Sequence, residues 1–162
     1  DNAARGESYG LEASATWRLP GERLQLSGAL GALQTRYIGY RFGGRDLDGR
    51  EQAHAPEYQL TLGAQYRHRR GFLARVDAQA VDDFYFDASH DERAAAFTLV
   101  NVKLGYEAER WAAYAWARNL FDERYAMRGF FFGNEPPDFS SKRYVQNGDP
   151  RAVGVTVTYS FR

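Results

Sequence analysis

The residues best suited to covalent chemistry stand together in Asp87-Ala-Ser-His-Asp-Glu92, where Ser89, His90 and Asp91 follow one another. A serine, an imidazole and a carboxylate are the parts of a nucleophilic relay. Such relays draw their members from separate elements, and immediate neighbours meet the geometry poorly, so the segment reads as a solvated loop. His54 and His68 fall in connections leading to opposite ends of the expected fold, which disfavours a three-histidine metal site, and the chain has no cysteine. The expectation is no enzyme, no catalytic residue, no metal and no cofactor. Binding chemistry is better represented. One stretch carries Arg41, Arg45 and Arg50; a second carries Arg128, Phe130, Phe131 and Phe132, then Lys142, Arg143 and Tyr144. Guanidinium groups and aromatic rings together can hold an anionic, partly aromatic ligand through charge and stacking. The competing reading of each residue is an ordinary loop side chain packed on its neighbours. Gly129, Gly133 and Pro136-Pro137 point to a shaped loop.

The elements that must position these stretches read as strands. Tyr9, Leu11, Ala13, Ala15, Trp17 and Leu19 alternate with Glu12, Ser14, Thr16 and Arg18, a period of two. Similar alternation recurs around Leu24–Leu30, with a bulge expected near Ala32, and around 58–67, 72–86, 97–107, 111–121 and 151–161. That makes seven strands and no convincing helix. The connections alternate in length: Pro20-Gly21-Glu22, the Arg67–Gly71 turn and Glu107–Arg110 are tight, whereas 39–56, 87–95 and 122–150 are longer. Short turns at one end and long loops at the other are the habit of an up-and-down antiparallel transmembrane β-barrel.

Composition agrees. The 21 basic and 21 acidic residues balance, which disfavours nucleic acid, and no apolar run is long enough for a transmembrane helix. Residues 1–10 carry no basic-then-apolar signal. Aromatics make up 15% of a chain whose mean hydropathy is −0.60, so large apolar groups are interleaved with polar ones. Two aromatic girdles are expected on the apolar face. One, near the tight turns, comprises Trp17, Tyr66, Phe72, Tyr106, Trp111, Tyr159 and Phe161. The other, near the long loops, comprises Tyr9, Tyr37, Tyr58, Phe84, Phe86 and Phe97. The opposite face, with Arg67, Arg75, Asp77 and Lys103, needs water or polar partners.

Arg118-Asn-Leu-Phe-Asp-Glu-Arg-Tyr125 resembles the Asn-Leu-Phe-Asp signature near the end of the barrel of TonB-dependent outer-membrane receptors. Residues 97–125 are similar to that family's two penultimate strands, 148–161 to its last strand, and 5–19 to an earlier Gly-Leu-Glu strand. The resemblance implies that residues 1–162 are the C-terminal portion of a barrel of about 22 strands, with the plug domain, the TonB-contacting segment and the earlier strands missing from this stretch. It implies a Gram-negative outer-membrane location and import of a scarce nutrient, a ferric siderophore or cobalamin, energised by TonB. Expected partners are the plug and upstream strands, the TonB complex through the parent, outer-membrane lipid, and the barrel-assembly machinery that reads the closing strand. Asn119, Leu120, Phe121, Asp122, Tyr125, Tyr159 and Phe161 are then structural motif residues, and Arg162 departs from the family's closing aromatic in a way expected to affect insertion. The alternatives weighed are a small ligand-binding β-barrel unconnected to TonB and an outer-membrane hydrolase using Ser89, His90 and Asp91.

Overall fold

The computed structural model describes residues 5–21 and 23–161; expectations that fall on residues 1–4, Glu22 and Arg162 lie outside the described residues. β1 (Arg5–Arg18) and β2 (Leu24–Ile38) pair antiparallel in an unbroken register. Ala32 sits opposite Leu11, so the expected bulge is absent. The hairpin β3 (Arg41–Phe42) and β4 (Arg45–Asp46) occupies the connection to β5 (Tyr58–Arg67) and β6 (Phe72–Val81). β7 (Phe84–Tyr85) and β8 (Arg93–Ala94) form a second small hairpin before β9 (Phe97–Glu107) and β10 (Trp111–Arg118). β11 (Ala126–Phe132) and β12 (Lys142–Asn147) form the third, followed by β13 (Ala152–Tyr159). β1, β2, β5, β6, β9, β10 and β13 make one seven-stranded sheet in that order. Each strand pairs with its neighbour along the chain, the up-and-down arrangement expected, and no helix occurs among the described residues.

Directly opposed residues share a face, so the registers sort the side chains. Trp17↔Leu26↔Ala64↔Val76↔Val102 is one row of the apolar face, and Tyr66↔Ala74↔Leu104↔Ala115↔Val155 is another. The polar face carries Gln65↔Arg75↔Lys103↔Trp116. Among the charged groups there, Arg75 pairs with Asp77 at 2.7 Å and Arg67 with Glu107 at 3.4 Å. Apolar exposure is extreme: Leu11 is 68% accessible and Val155 73%. An apolar face this large in water would be an aggregation hazard, so it needs lipid or a partner against it.

The tight-turn girdle is as expected. Trp17, Tyr66, Phe72, Tyr106, Trp111 and Tyr159 all fall on the apolar face, and Phe161 packs edge-on against Tyr159 at 4.8 Å. The long-loop girdle requires correction, because only Tyr9 and Tyr58 belong to it. Tyr37 lies opposite Gly6 and Phe97 opposite Val81, both on the polar face. β6 ends at Val81, where Asp82-Asp83 breaks the alternation, and Phe84 and Phe86 turn inward beneath the loops. With Ala94 they form a small buried cluster against which Ala126 and Phe131 pack. Above Tyr9 the apolar face stops: the next pair up is the Glu7–Arg36 ion pair, at 2.7 Å.

Candidate functional site

Three connections, 39–57, 82–96 and 119–151, meet at one end of the sheet. Their junction is residues 87–91. Asp91 accepts a two-pronged hydrogen bond from Arg45, at 3.0 and 2.8 Å, and a third from Arg50 at 2.7 Å. Those guanidinium groups hold the Asp91 carboxyl below its usual range, Arg50 most strongly. Arg50 also donates to the His90 carbonyl and lies over the Tyr85 ring at 4.0 Å; its Nε is buried without a partner. From the other side, the Phe131 ring stacks on His90, 3.7 Å between centroids and 8° from parallel. Gly129 lies flat against Phe86, where an added Cβ would strike the ring.

Asp87, Ser89 and His90 do come together, but not as a relay. Asp87 Oδ2 is 2.7 Å from His90 Nδ1, and Ser89 Oγ is 3.2 Å from that same nitrogen. A relay needs the serine on the opposite ring nitrogen, so a proton cannot pass through the imidazole. Asp87 instead closes the turn, accepting from the Ser89 and His90 amides, both at 2.7 Å. Partial burial opposes its ionisation, but these amides and the imidazole outweigh burial and hold its carboxyl below the usual range.

Asn119-Leu-Phe-Asp122 is a clasp. Asn119, 5% exposed with φ +47°, donates from Nδ2 to the carbonyls of Glu123 (2.9 Å) and Asp149 (3.1 Å) and accepts from the Glu123 amide (2.8 Å). Its own amide donates to Asn101 Oδ1 on β9. Asp122, φ +57°, accepts from the Arg151 amide at 2.8 Å. Both residues tolerate the left-handed conformation through local side-chain hydrogen bonds. The clasp therefore joins both ends of the longest loop to the sheet. Phe121 is exposed, while Tyr125 packs on Phe97 at 4.4 Å and lies against Gly148, where an added Cβ would strike its ring.

The remaining binding candidates divide by face of the β11–β12 hairpin. Phe131 and Arg143 are opposed on the face turned toward Phe86, and Phe131 is spent on His90. Arg128, Phe130, Phe132, Lys142 and Tyr144 share the other face, with Phe130 48% and Phe132 54% exposed. Phe130 and Tyr144 stack at 5.6 Å. Glu135 accepts from Tyr144 Oη at 2.7 Å and pairs with Lys142; Lys142 first and Tyr144 second keep its carboxyl low. Arg128 makes no ion pair among the described residues. Arg41 pairs with Asp46 across its own hairpin at 3.5 Å, and Arg45 is engaged by Asp91. A cavity of about 430 Å³ lies under the loops, lined by His54, Gln59, Gln79, Phe97, Tyr125 and Met127. Sequence reasoning missed His54, Phe97 and Met127 as lining. Phe97 was legible, since its odd number is out of phase with Val100, Val102 and Leu104; His54 and Met127 carry no comparable signal.

A family model described as "TonB dependent receptor-like, beta-barrel" matches residues 1–120. The chain belongs to this family. Proteins of the family are outer-membrane receptors of Gram-negative bacteria, and neither the family nor the solved structures similar to this chain are enzymes. The ferric yersiniabactin uptake receptor FyuA from Yersinia pestis superposes over 99% of this chain at TM-score 0.79 and 21% identity. The siderophore receptor PiuA from Acinetobacter baumannii covers 96% at 0.73 and 16% identity. The ferric citrate transporter FecA, in its unliganded form, covers 96% at 0.68 and 15% identity. The chain spans 24%, 22% and 25% of those three proteins, so its sheet corresponds to part of a TonB-dependent receptor barrel. A small closed ligand barrel is the wrong description: β1 and β13 are both sheet edges, and the apolar side chains point away from the charged face.

Proposed function

We propose that residues 1–162 are the C-terminal portion of a TonB-dependent receptor in a Gram-negative outer membrane, whose parent carries the plug and earlier strands. The parent imports an anionic iron chelate bearing aromatic groups, with energy delivered through TonB. The observation that carries the ligand class is the exposed hairpin face on which Arg128, in no ion pair among the described residues, stands beside the stacked Phe130 and Tyr144. Stacking and charge on one rigid two-stranded support suit a flat, negatively charged complex. That three similar solved structures are named for ferric yersiniabactin, siderophore and ferric citrate uptake supports iron over cobalamin. Arg41 and Arg143 are secondary candidates at the rim, while Arg45 and Phe131 hold the loops together. β13, ending at Tyr159 with Phe161 just beyond it, is the strand offered to the barrel-assembly machinery.

The test uses the full-length receptor carrying this segment, expressed in a Gram-negative cell and fractionated. Outer-membrane recovery with a band that shifts on heating supports the receptor reading; a detergent-free soluble protein overturns it. Ferric chelate binding is then followed by tryptophan fluorescence quenching. The double variant F130A/Y144A is expected to weaken binding of an aryl chelate about 10-fold or more, the loss of one or two aromatic contacts. Unchanged affinity would remove this face from the ligand site.

A further inference from the structure

The tight-turn end carries a feature that nutrient uptake does not use. On the apolar face, Tyr66, Phe72 and Tyr106 stand around an open trough of about 550 Å³ whose floor is Ala74, Leu104 and Ala113. The trough exists because of the registers. Ala74 lies between Tyr66 and Leu104, and Ala113 lies beside Tyr106, so two methyl groups interrupt a wall of large side chains. Phe72 meets Tyr106 edge-on at 5.2 Å, which fixes that side of the trough.

Directly beyond it is the His68-Arg69-Arg70-Gly71 turn. It is closed by a hydrogen bond from the Gly71 amide to the His68 carbonyl at 3.0 Å, with Gly71 at φ +91°. Glu107 donates its amide to the Gly71 carbonyl at 2.8 Å, which ties the turn to β9. His68 is opposite Phe72 and continues the apolar face, its ring 6.3 Å from Tyr66 and 6.4 Å from Phe72. Arg69 and Arg70 are exposed at the tip and make no ion pair among the described residues. The nearby cation Arg67 faces the other way and is matched by Glu107, while Glu109 and Arg110 in the next turn cancel each other in charge. Among the described residues, two positive charges therefore stand unmatched at the rim of an apolar trough ringed by aromatics.

We infer that this is a binding site for one anionic phospholipid: an acyl chain in the Tyr66, Phe72, Tyr106 trough and the phosphate against Arg69 and Arg70. The inference rests on the outer-membrane reading, in which the tight turns lie at the periplasmic surface. Charge complementarity selects the occupant. A partner without net negative charge would leave the two positive charges uncompensated, and a free phosphate would leave the trough uncovered. Trp and Tyr at a membrane interface hold the glycerol level, and Trp111, 43% exposed beside Tyr106 at 5.5 Å, extends that ring.

The experiment takes the full-length receptor, reconstituted in nanodiscs of phosphatidylethanolamine with phosphatidylglycerol, and identifies retained lipid by native mass spectrometry. Wild type is expected to retain phosphatidylglycerol preferentially. At about fivefold per arginine at a membrane surface, R69Q/R70Q is expected to lower that preference by roughly 10- to 30-fold, and R69K/R70K to keep most of it. Ala74→Leu, which fills the floor without touching charge, is expected to lower retention of both lipids and leave the preference unchanged. The site is overturned if R69Q/R70Q keeps the wild-type preference, or if wild type retains both lipids equally. A heat-shifted outer-membrane band, checked first, separates these results from failure of the receptor reading; its absence overturns both.

Discussion

The two ends of the sheet use the same residue types in opposite ways. At the tight turns, Phe72 and Tyr66 point outward and the turn arginines Arg69 and Arg70 are unpaired among the described residues. At the long loops, Phe84 and Phe86 point inward and Arg45, Arg50 and Arg93 are each engaged by a carboxylate. The difference lies in what the chain does after the strand ends. A tight turn has no length with which to cover its own aromatics, so they remain on the surface for lipid. A long loop can fold back, and the favourable change is then burial of those rings against one another. Once they are inward, the backbone of the loops needs partners, which Asp87, Asn119 and Asp122 supply.

The comparison can be broken at matched residues. The largest effect is expected from Phe86→Ala. Removing a ring that is 4% exposed, against a glycine unable to refill the space, costs about 3 kcal/mol of local stability. Hydrogen exchange at 82–96 and 126–147 would rise roughly 100-fold together, while the 68–71 turn stays unchanged. Asn119→Ala comes next. It removes three side-chain hydrogen bonds from a buried residue at positive φ, about 2 kcal/mol. Exchange at the amides of Glu123 and Arg151 would reveal it, and unaltered protection would mean the clasp is dispensable.

Acid should separate the two ends without mutation. Asp87 and Asp91 both have folded-state values below the ordinary 3.8. A depressed carboxylate stabilises fully above its unfolded value and loses that contribution as pH falls through the folded one. The loop junction is therefore expected to loosen below about pH 4. Pepsin nicking of the folded receptor in detergent should begin within 82–96 and not at 68–71. The smallest effect is expected from Phe72→Ala: with the ring 58% exposed on the apolar face, folding stability in detergent should change by less than about 1 kcal/mol. A loss equal to that of Phe86 would abolish the distinction between the ends.

Alternation alone carried most of the fold. The seven strands, their antiparallel order and the tight-turn aromatics were legible because a strand's side-chain period is two and a tight turn preserves phase. Even the misplaced Tyr37 and Phe97 were out of phase with Leu24, Leu26, Val100 and Val102 in the sequence itself. Phe84 and Phe86 were a different matter: they keep the phase of β6, and only the break at Asp82-Asp83 hints that the strand has ended. The candidate site was legible as a composition of arginine and aromatic residues in the loops. Its division was not, since Phe130 and Phe131 are adjacent and alike, and one faces solvent while the other stacks on His90.

The sequence by itself determined which face of each strand is apolar, where the chain turns tightly, and that Asn119 and Asp122 stand where a strand gives way to a loop. Those are local properties, set by side-chain period and turn chemistry. Only the tertiary structure decided that Asp91 joins Arg45 and Arg50, that Phe131 stacks on His90, and that Ala74 and Ala113 open a trough between aromatic rings. Each depends on residues far apart in the chain meeting at a particular register, and a pattern read along one strand contains no information about its neighbour's offset.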